Sequence, residues 1–190
     1  FYGFSSYKVL GPHCASLVAD PALLEDIKND KLRPSTMQVP ERFEFGTLPY
    51  ELMAGVTAAI DYIAALDTEA KGSRRERIVQ SMNSLEKYET SLFEYLENQL
   101  SSLPGIILYG HAEKRTPTLY FNFPNVPGKT IYEFLATKKI NAPASNFYAY
   151  EVSLALGLGD AGAVRTGLAP YSTKEDVDRL FEALKEFLKK

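Results

Sequence analysis

Ser73 to Leu103 reads as one long amphipathic helix, and this stretch limits the possible folds more than any other. Ile78, Met82, Leu85, Tyr88, Leu92, Leu96, Leu100 and Leu103 recur at three- and four-residue steps, while Arg74, Arg75, Glu86, Glu94 and Glu97 fall on other faces. At roughly 1.5 Å per residue such a helix would span ~45 Å. Pro104-Gly105 ends it, and the expectation is an ordinary core-facing helix. Ahead of it, Asp67 to Gly72 breaks the hydrophobic pattern and marks a candidate boundary between residues 1–70 and 71–190.

Shorter elements flank the helix. Phe1 to Phe4 and Ala15 to Ala19 read as strands around a Gly11-Pro12 turn. A short helix over 22–27 is expected to start at Pro21 under an Asp20 cap. Leu32 to Arg42, with Pro34 and Pro40, reads as irregular, and Pro49 to Leu66 as a helix with Pro49 in its first turn. Beyond the long helix, strands are expected at Ile106–Tyr109, Thr118–Phe123 and Ala163–Leu168, with a helix at Gly128–Lys138. Ser172 with Glu175 gives a capping-box signature for a last helix, whose stripe is Val177, Leu180, Phe181, Leu184, Phe187 and Leu188. Strands interleaved with helices suggest an α+β layer structure for this part.

Composition narrows the function classes. The 190 residues are 45% hydrophobic and 24% charged, enough for a sizeable core. A net charge of -3 with mixed signs leaves no electrostatic footprint for nucleic acid. No apolar run approaches the ~20 residues that cross a bilayer. One cysteine rules out an internal disulfide and suits a reducing, cytoplasmic setting, and the separated His13 and His111 give no metal-site pattern.

Two residues stand out chemically. Lys8 sits between the run Phe1 to Tyr7 and the Gly11-Pro12 turn. At such a junction it is either a surface lysine on a loop or, if partly desolvated, a usable nucleophile or Schiff-base partner. Arg165 lies inside the apolar strand, where a guanidinium is expensive unless paired. It belongs either to an internal salt bridge or to the carboxylate of a bound molecule.

Ser5-Ser6-Tyr7-Lys8 followed by Gly11-Pro12, then Phe43-Glu44-Phe45-Gly46-Thr47, then Val164-Arg165-Thr166-Gly167-Leu168 with Tyr171 to Asp178, occur in one order along the chain. Together they resemble the class V aminotransferase-like enzymes, the fold-type I pyridoxal phosphate group that includes cysteine desulfurases. The resemblance implies an α/β fold: the C-terminal part of the large domain of a PLP-dependent transferase, followed by an α+β C-terminal domain. It implies pyridoxal 5'-phosphate as cofactor, with Lys8 as the Schiff-base and proton-moving lysine and an amino acid as substrate. By the same match Ser5 would donate to the phosphate. Tyr7 stands where desulfurases often have a histidine, and either serves the phosphate or packs in the core. Gly46 and Thr47 would reach the phosphate of the other subunit, implying a homodimer with shared active sites, while also suiting a turn before the next helix. Arg165 would take the substrate carboxylate.

The chain also departs from that pattern. Desulfurases carry a nucleophilic cysteine upstream of the arginine motif, where this chain reads Asn141-Ala142-Pro143-Ala144-Ser145-Asn146-Phe147-Tyr148. Tyr148 aligns best with it, and a phenol cannot become a persulfide. Cys14 is expected to be a packed thiol, and His13 either a turn residue or a neighbour of the site. The resemblance further suggests that the chain is the C-terminal half of a longer protein. The expected function is PLP-dependent chemistry on an amino acid without the usual catalytic cysteine. The alternatives are a non-catalytic C-terminal fragment or dimerisation domain, or an enzyme whose upstream half is a separate chain.

Overall fold

A computed structural model describes residues 1–189. The chain divides into two compact units, Phe1–Ser84 and Leu85–Lys190, and the division falls within the long helix. The break at Asp67 to Gly72 is present as a turn between two helices.

The first unit opens with an antiparallel hairpin of β1 (Tyr2–Ser5) and β2 (Ala15–Val18), in which Tyr2 faces Val18 and Ser5 faces Ala15. A short 3-10 turn, Ser6–Val9, follows β1 and carries the lysine. Helix α1 (Pro21–Asp26) is capped as expected, the Asp20 carboxylate accepting from the Ala22 N–H at 2.8 Å. The irregular connection after it is organised by a residue the sequence did not single out. Arg42 is buried, donates to the carbonyls of Leu24 and Ile27, and meets the Glu25 carboxylate at 3.3 Å. Its own carbonyl accepts from the Asn29 side chain, so one residue, through guanidinium and main chain together, ties 24–29 to the approach to the next helix. Helix α2 (Tyr50–Ala64) starts one position later than expected, with Pro49 as its N-cap. The turn after α2 is fixed by Asp67, which accepts from the Ser84 hydroxyl and from the Glu69 N–H, while the Asp67 N–H donates to buried Ser81.

Helix α3 runs from Arg74 to Ser101. Its apolar stripe behaves differently along its length. Leu92, Leu96, Leu100 and the following Leu103 are buried, whereas Met82 and Tyr88 are exposed. The core-facing expectation therefore holds for the C-terminal half only.

The second unit is built on a four-stranded antiparallel sheet in the order β3-β4-β6-β5: β3 (Ile107–Tyr109), β4 (Thr118–Asn122), β5 (Ala144–Ser145) and β6 (Ala163–Gly167). Alternation sends Leu119, Phe121 and Val164 to one face, where they pack with Leu96 and Leu100 of α3. Ile131 and Leu135 of α4 (Gly128–Thr137) and Val177 and Leu184 of α6 (Lys174–Phe187) complete that core. A short helix, α5 (Tyr150–Ala155), and the two-residue β5 were not anticipated. Both are too short to carry a hydrophobic period.

The capping box of α6 is displaced by one residue from the expected pair. Thr173, in extended conformation, caps the helix: its hydroxyl accepts from the Asp176 N–H, and the Asp176 carboxylate accepts from the Thr173 N–H. Ser172 instead accepts from the Ala169 N–H and closes the preceding turn. The expected pair, Ser172 with Glu175, is thus replaced by Thr173 with Asp176, one residue along, where the backbone turns into the helix.

Candidate active site

The lysine turn is held by main-chain hydrogen bonds. The Ser6 N–H donates to the Cys14 carbonyl and the Gly11 N–H to the Ser6 carbonyl, both at 2.9 Å. Ser6 is fully buried, and Leu10 takes a left-handed conformation to bring the chain round. Gly11 is required here by contact: a Cβ would lie 2.9 Å from the Ser6 carbonyl oxygen. Gly55 of α2 admits Pro12 in the same way, its hypothetical Cβ being 3.0 Å from the proline Cγ.

On this frame Ser5, Tyr7 and Lys8 stand together. Lys8 is exposed, so the desolvation that would favour a nucleophilic amine is not supplied by this chain. Its Nζ sits 5.9 Å from the centre of the Tyr7 ring and makes no hydrogen bond or ion pair among the described residues. Tyr7 is half-exposed and stacks on His13, ring centres 4.9 Å apart, which is surface pairing and not core packing. The Ser5 hydroxyl is not used to cap the turn. An open cleft of about 680 Å³ is lined by Ser5 and Lys8, with Gly3, Ala15 and Ser16, and Tyr7 lies outside its lining. Cys14 is half-buried, its thiol directed to the Ala15 carbonyl at 3.7 Å.

Gly46 and Thr47 occupy a separate exposed turn ahead of α2. Gly46 has φ of +73°, and nothing lies within 4 Å of where its Cβ would be. No hydrogen bond joins this turn to Ser5, Tyr7 or Lys8 among the described residues.

Arg165 belongs to the second unit. It lies on the sheet face opposite the core, in register with Tyr120 of β4, which in turn faces Tyr109 of β3. The side chain is exposed, and its guanidinium carbon lies 3.7 Å from the centre of the Phe147 ring. No carboxylate pairs with it among the described residues, so the internal salt bridge weighed from sequence is not formed. Tyr109 and Tyr120 stand 5.6 Å apart, and burial, then the neighbouring Tyr120, push the Tyr109 phenol above its usual range.

The segment that brings Phe147 over Arg165 is tightly braced. Phe147 and Tyr148 have φ of +51° and +66°, unfavourable for residues with a Cβ. The Tyr148 N–H donates to the Asn146 side chain at 3.0 Å, and the Asn146 amide donates to Asp160 at 2.9 Å. The Tyr120 hydroxyl donates to the Ser145 carbonyl and accepts from the Ala163 N–H. Gly162 allows this: a Cβ would fall 2.1 Å from the Ser145 oxygen. Tyr148 itself is fully exposed. Phe147 was not singled out from sequence, since the pairing of β5 with β6 and the left-handed turn after β5 bring it into play. No group of three or more His, Cys, Asp or Glu forms a metal site among the described residues.

Comparison with known proteins then decides the family. The profile described as Aminotransferase class-V matches residues 1–180. The chain belongs to the class-V aminotransferase family. An uncharacterised Mycobacterium tuberculosis protein, MT3887, is 39% identical over 92% of this class-V chain and 44% of its own length. A cysteine desulfurase of Salmonella agona is 31% identical over 97% of this chain and 44% of its own. The crystal structure of the Escherichia coli cysteine desulfurase CsdA superposes with a TM-score of 0.77 at 25% identity, over 100% of this chain and 46% of that one. The chain thus spans a little under half the length of these relatives, and its fold is that of the corresponding part of a fold-type I PLP enzyme.

Proposed function

We propose that this class-V chain provides the lysine half of a PLP-dependent active site acting on an amino acid. The observation that carries the reading is the hydrogen-bonded turn that presents Lys8 with its amine unengaged, next to the uncommitted hydroxyls of Ser5 and Tyr7. An amine for an aldehyde and hydroxyl donors for a phosphate are what pyridoxal 5'-phosphate requires of a protein, so the donor set fits. Bound there, the cofactor supplies an aldehyde for the Lys8 amine and an electron sink for the substrate α-carbon.

The remaining chemistry belongs to the chain. Lys8 moves the proton at the substrate α-carbon. Ser5 and Tyr7 donate to the phosphate. Gly46 and Thr47, on their open turn, donate to the phosphate of a second subunit's cofactor, which makes the working form a homodimer. Arg165 presents two parallel N–H donors to the substrate α-carboxylate. Tyr148 stands where sulfur transfer would need a cysteine, so transfer through a persulfide on this loop is not part of the reading. A single cysteine suits work in the cytoplasm.

The test is an absorbance spectrum with added pyridoxal 5'-phosphate, before and after borohydride, beside Lys8→Ala. A visible band absent from the variant, and reduction that fixes the cofactor on the peptide holding Lys8, are expected. A wild-type protein with no Lys8-dependent band overturns the reading and leaves a non-catalytic or dimerisation role.

A further inference from the structure

Arg165 is held by an aromatic neighbour in place of an acidic one. On the outer face of the sheet, beside the Tyr120 of its paired strand, its guanidinium rests over the Phe147 ring at 3.7 Å and has no anionic partner among the described residues. A ring occupies one face of the planar group and leaves the N–H edge open, whereas a carboxylate would take that edge. Phe147 reaches this position only because its backbone adopts a left-handed conformation, with φ of +51°. Such a conformation is unfavourable for an aromatic residue and persists where surrounding contacts over-determine it. Those contacts are present. Phe147 donates its N–H to the Ser145 hydroxyl at 3.2 Å, and Tyr120 packs edge-on against the ring at 6.2 Å. The Tyr120 hydroxyl meanwhile ties Ser145 to Ala163, two residues before the arginine.

We propose that Phe147 is a positioning residue for Arg165: the braced segment Ser145–Tyr148 holds its ring over one face of the guanidinium, so that the N–H edge is presented ready-oriented to a carboxylate. This rests on the reading that Arg165 binds the substrate carboxylate. Preorganising a long, otherwise mobile side chain reduces the ordering cost of each binding event, so the ring acts on affinity without touching the ligand.

Two measurements test it. In the 190-residue chain, the side-chain resonances of Arg165 are expected to be shifted by the ring current of Phe147, and unshifted resonances would overturn the stacking. Phe147→Leu moves them to ordinary arginine positions while the spectrum away from Tyr120 and the Ser145–Tyr148 segment stays unchanged, and Phe147→Trp keeps a ring-current shift. In the cofactor-loaded protein, the rate of reaction with aminooxyacetate is divided by that with methoxyamine, which lacks the carboxylate. This ratio isolates carboxylate recognition from the reaction the enzyme catalyses. Phe147→Leu is expected to lower the ratio about five-fold while leaving the methoxyamine rate unchanged, and Phe147→Trp to restore it. Arg165→Gln is expected to abolish the preference. If Arg165→Gln abolishes it and Phe147→Leu does not lower it, the positioning role is wrong and the carboxylate reading stands. If Arg165→Gln leaves the ratio intact, or the protein takes up no cofactor, the reading beneath the proposal fails and the proposal with it.

Discussion

The desolvation cost expected of a guanidinium in an apolar strand is not incurred at Arg165, which is exposed and rests on an aromatic face where a salt bridge was the simpler expectation. The strand alternation behind this was readable, since Val164 and Thr166 are buried and Arg165 between them is not. The stacking partner was not, because it depends on the left-handed turn at Phe147. The same outer face holds Tyr109, whose raised phenol makes a pH prediction. Its unfolded form ionises near pH 10, and its folded form, held neutral by burial and then by Tyr120, ionises higher. Between the two values the folded state keeps a proton that the unfolded state has lost. The stability it contributes is complete below about pH 10 and is lost as pH rises through the folded value. Denaturant unfolding above about pH 10 should therefore show a steeper decline for wild type than for Tyr109→Phe. Parallel slopes would mean that Tyr109 is not perturbed.

At the level of elements, the last helix separates two readings of one motif. Thr173→Ala removes the hydroxyl that caps α6 and should cost about 1 kcal/mol, seen as a lower Tm. Glu175→Ala, which alters the partner that the Ser172 pairing would have used, should change stability by less than about 0.5 kcal/mol. Equal effects would place the cap elsewhere. The long periodic segments, α2, α3, α4 and α6, were all legible, because each carries several turns of a 3.6-residue pattern. So was the Asp20 cap of α1. What stayed hidden has a common physical origin in contacts between residues distant in sequence. Arg42 looked like an ordinary charge in a proline-rich connection, yet it is buried against carbonyls 15 and 18 residues earlier. Tyr120 looked like the polar side of an alternating strand, yet its hydroxyl joins the paired ends of β5 and β6. For the candidate site, Lys8, Gly46 and Arg165 were found as residues in a motif. The exposure of Lys8 and the ring over Arg165 arise from tertiary placement, which the motifs do not encode.

For the whole molecule, the two units differ in how much apolar surface they bury. Every buried hydrophobic residue except Ala59 and Ala64 lies in the second unit, among the described residues. In the first, Tyr2, Leu17, Val18, Met37 and Phe45 are exposed. Buried apolar contact is what raises the free energy of local opening, so amide hydrogen exchange should be slowest in β4, β6 and the C-terminal half of α3. The β1–β2 hairpin should exchange far sooner in the same chain; uniform protection across both units would contradict this. The hairpin has one more property, which lies in its covalent chemistry. The residue whose carbonyl closes the lysine turn, Cys14, is also the chain's only cysteine. A thiol-directed dye or spin label would therefore mark a single place without mutagenesis. That place is a strut of the turn that carries Lys8, so the native sequence already contains an address at which the candidate site can be watched.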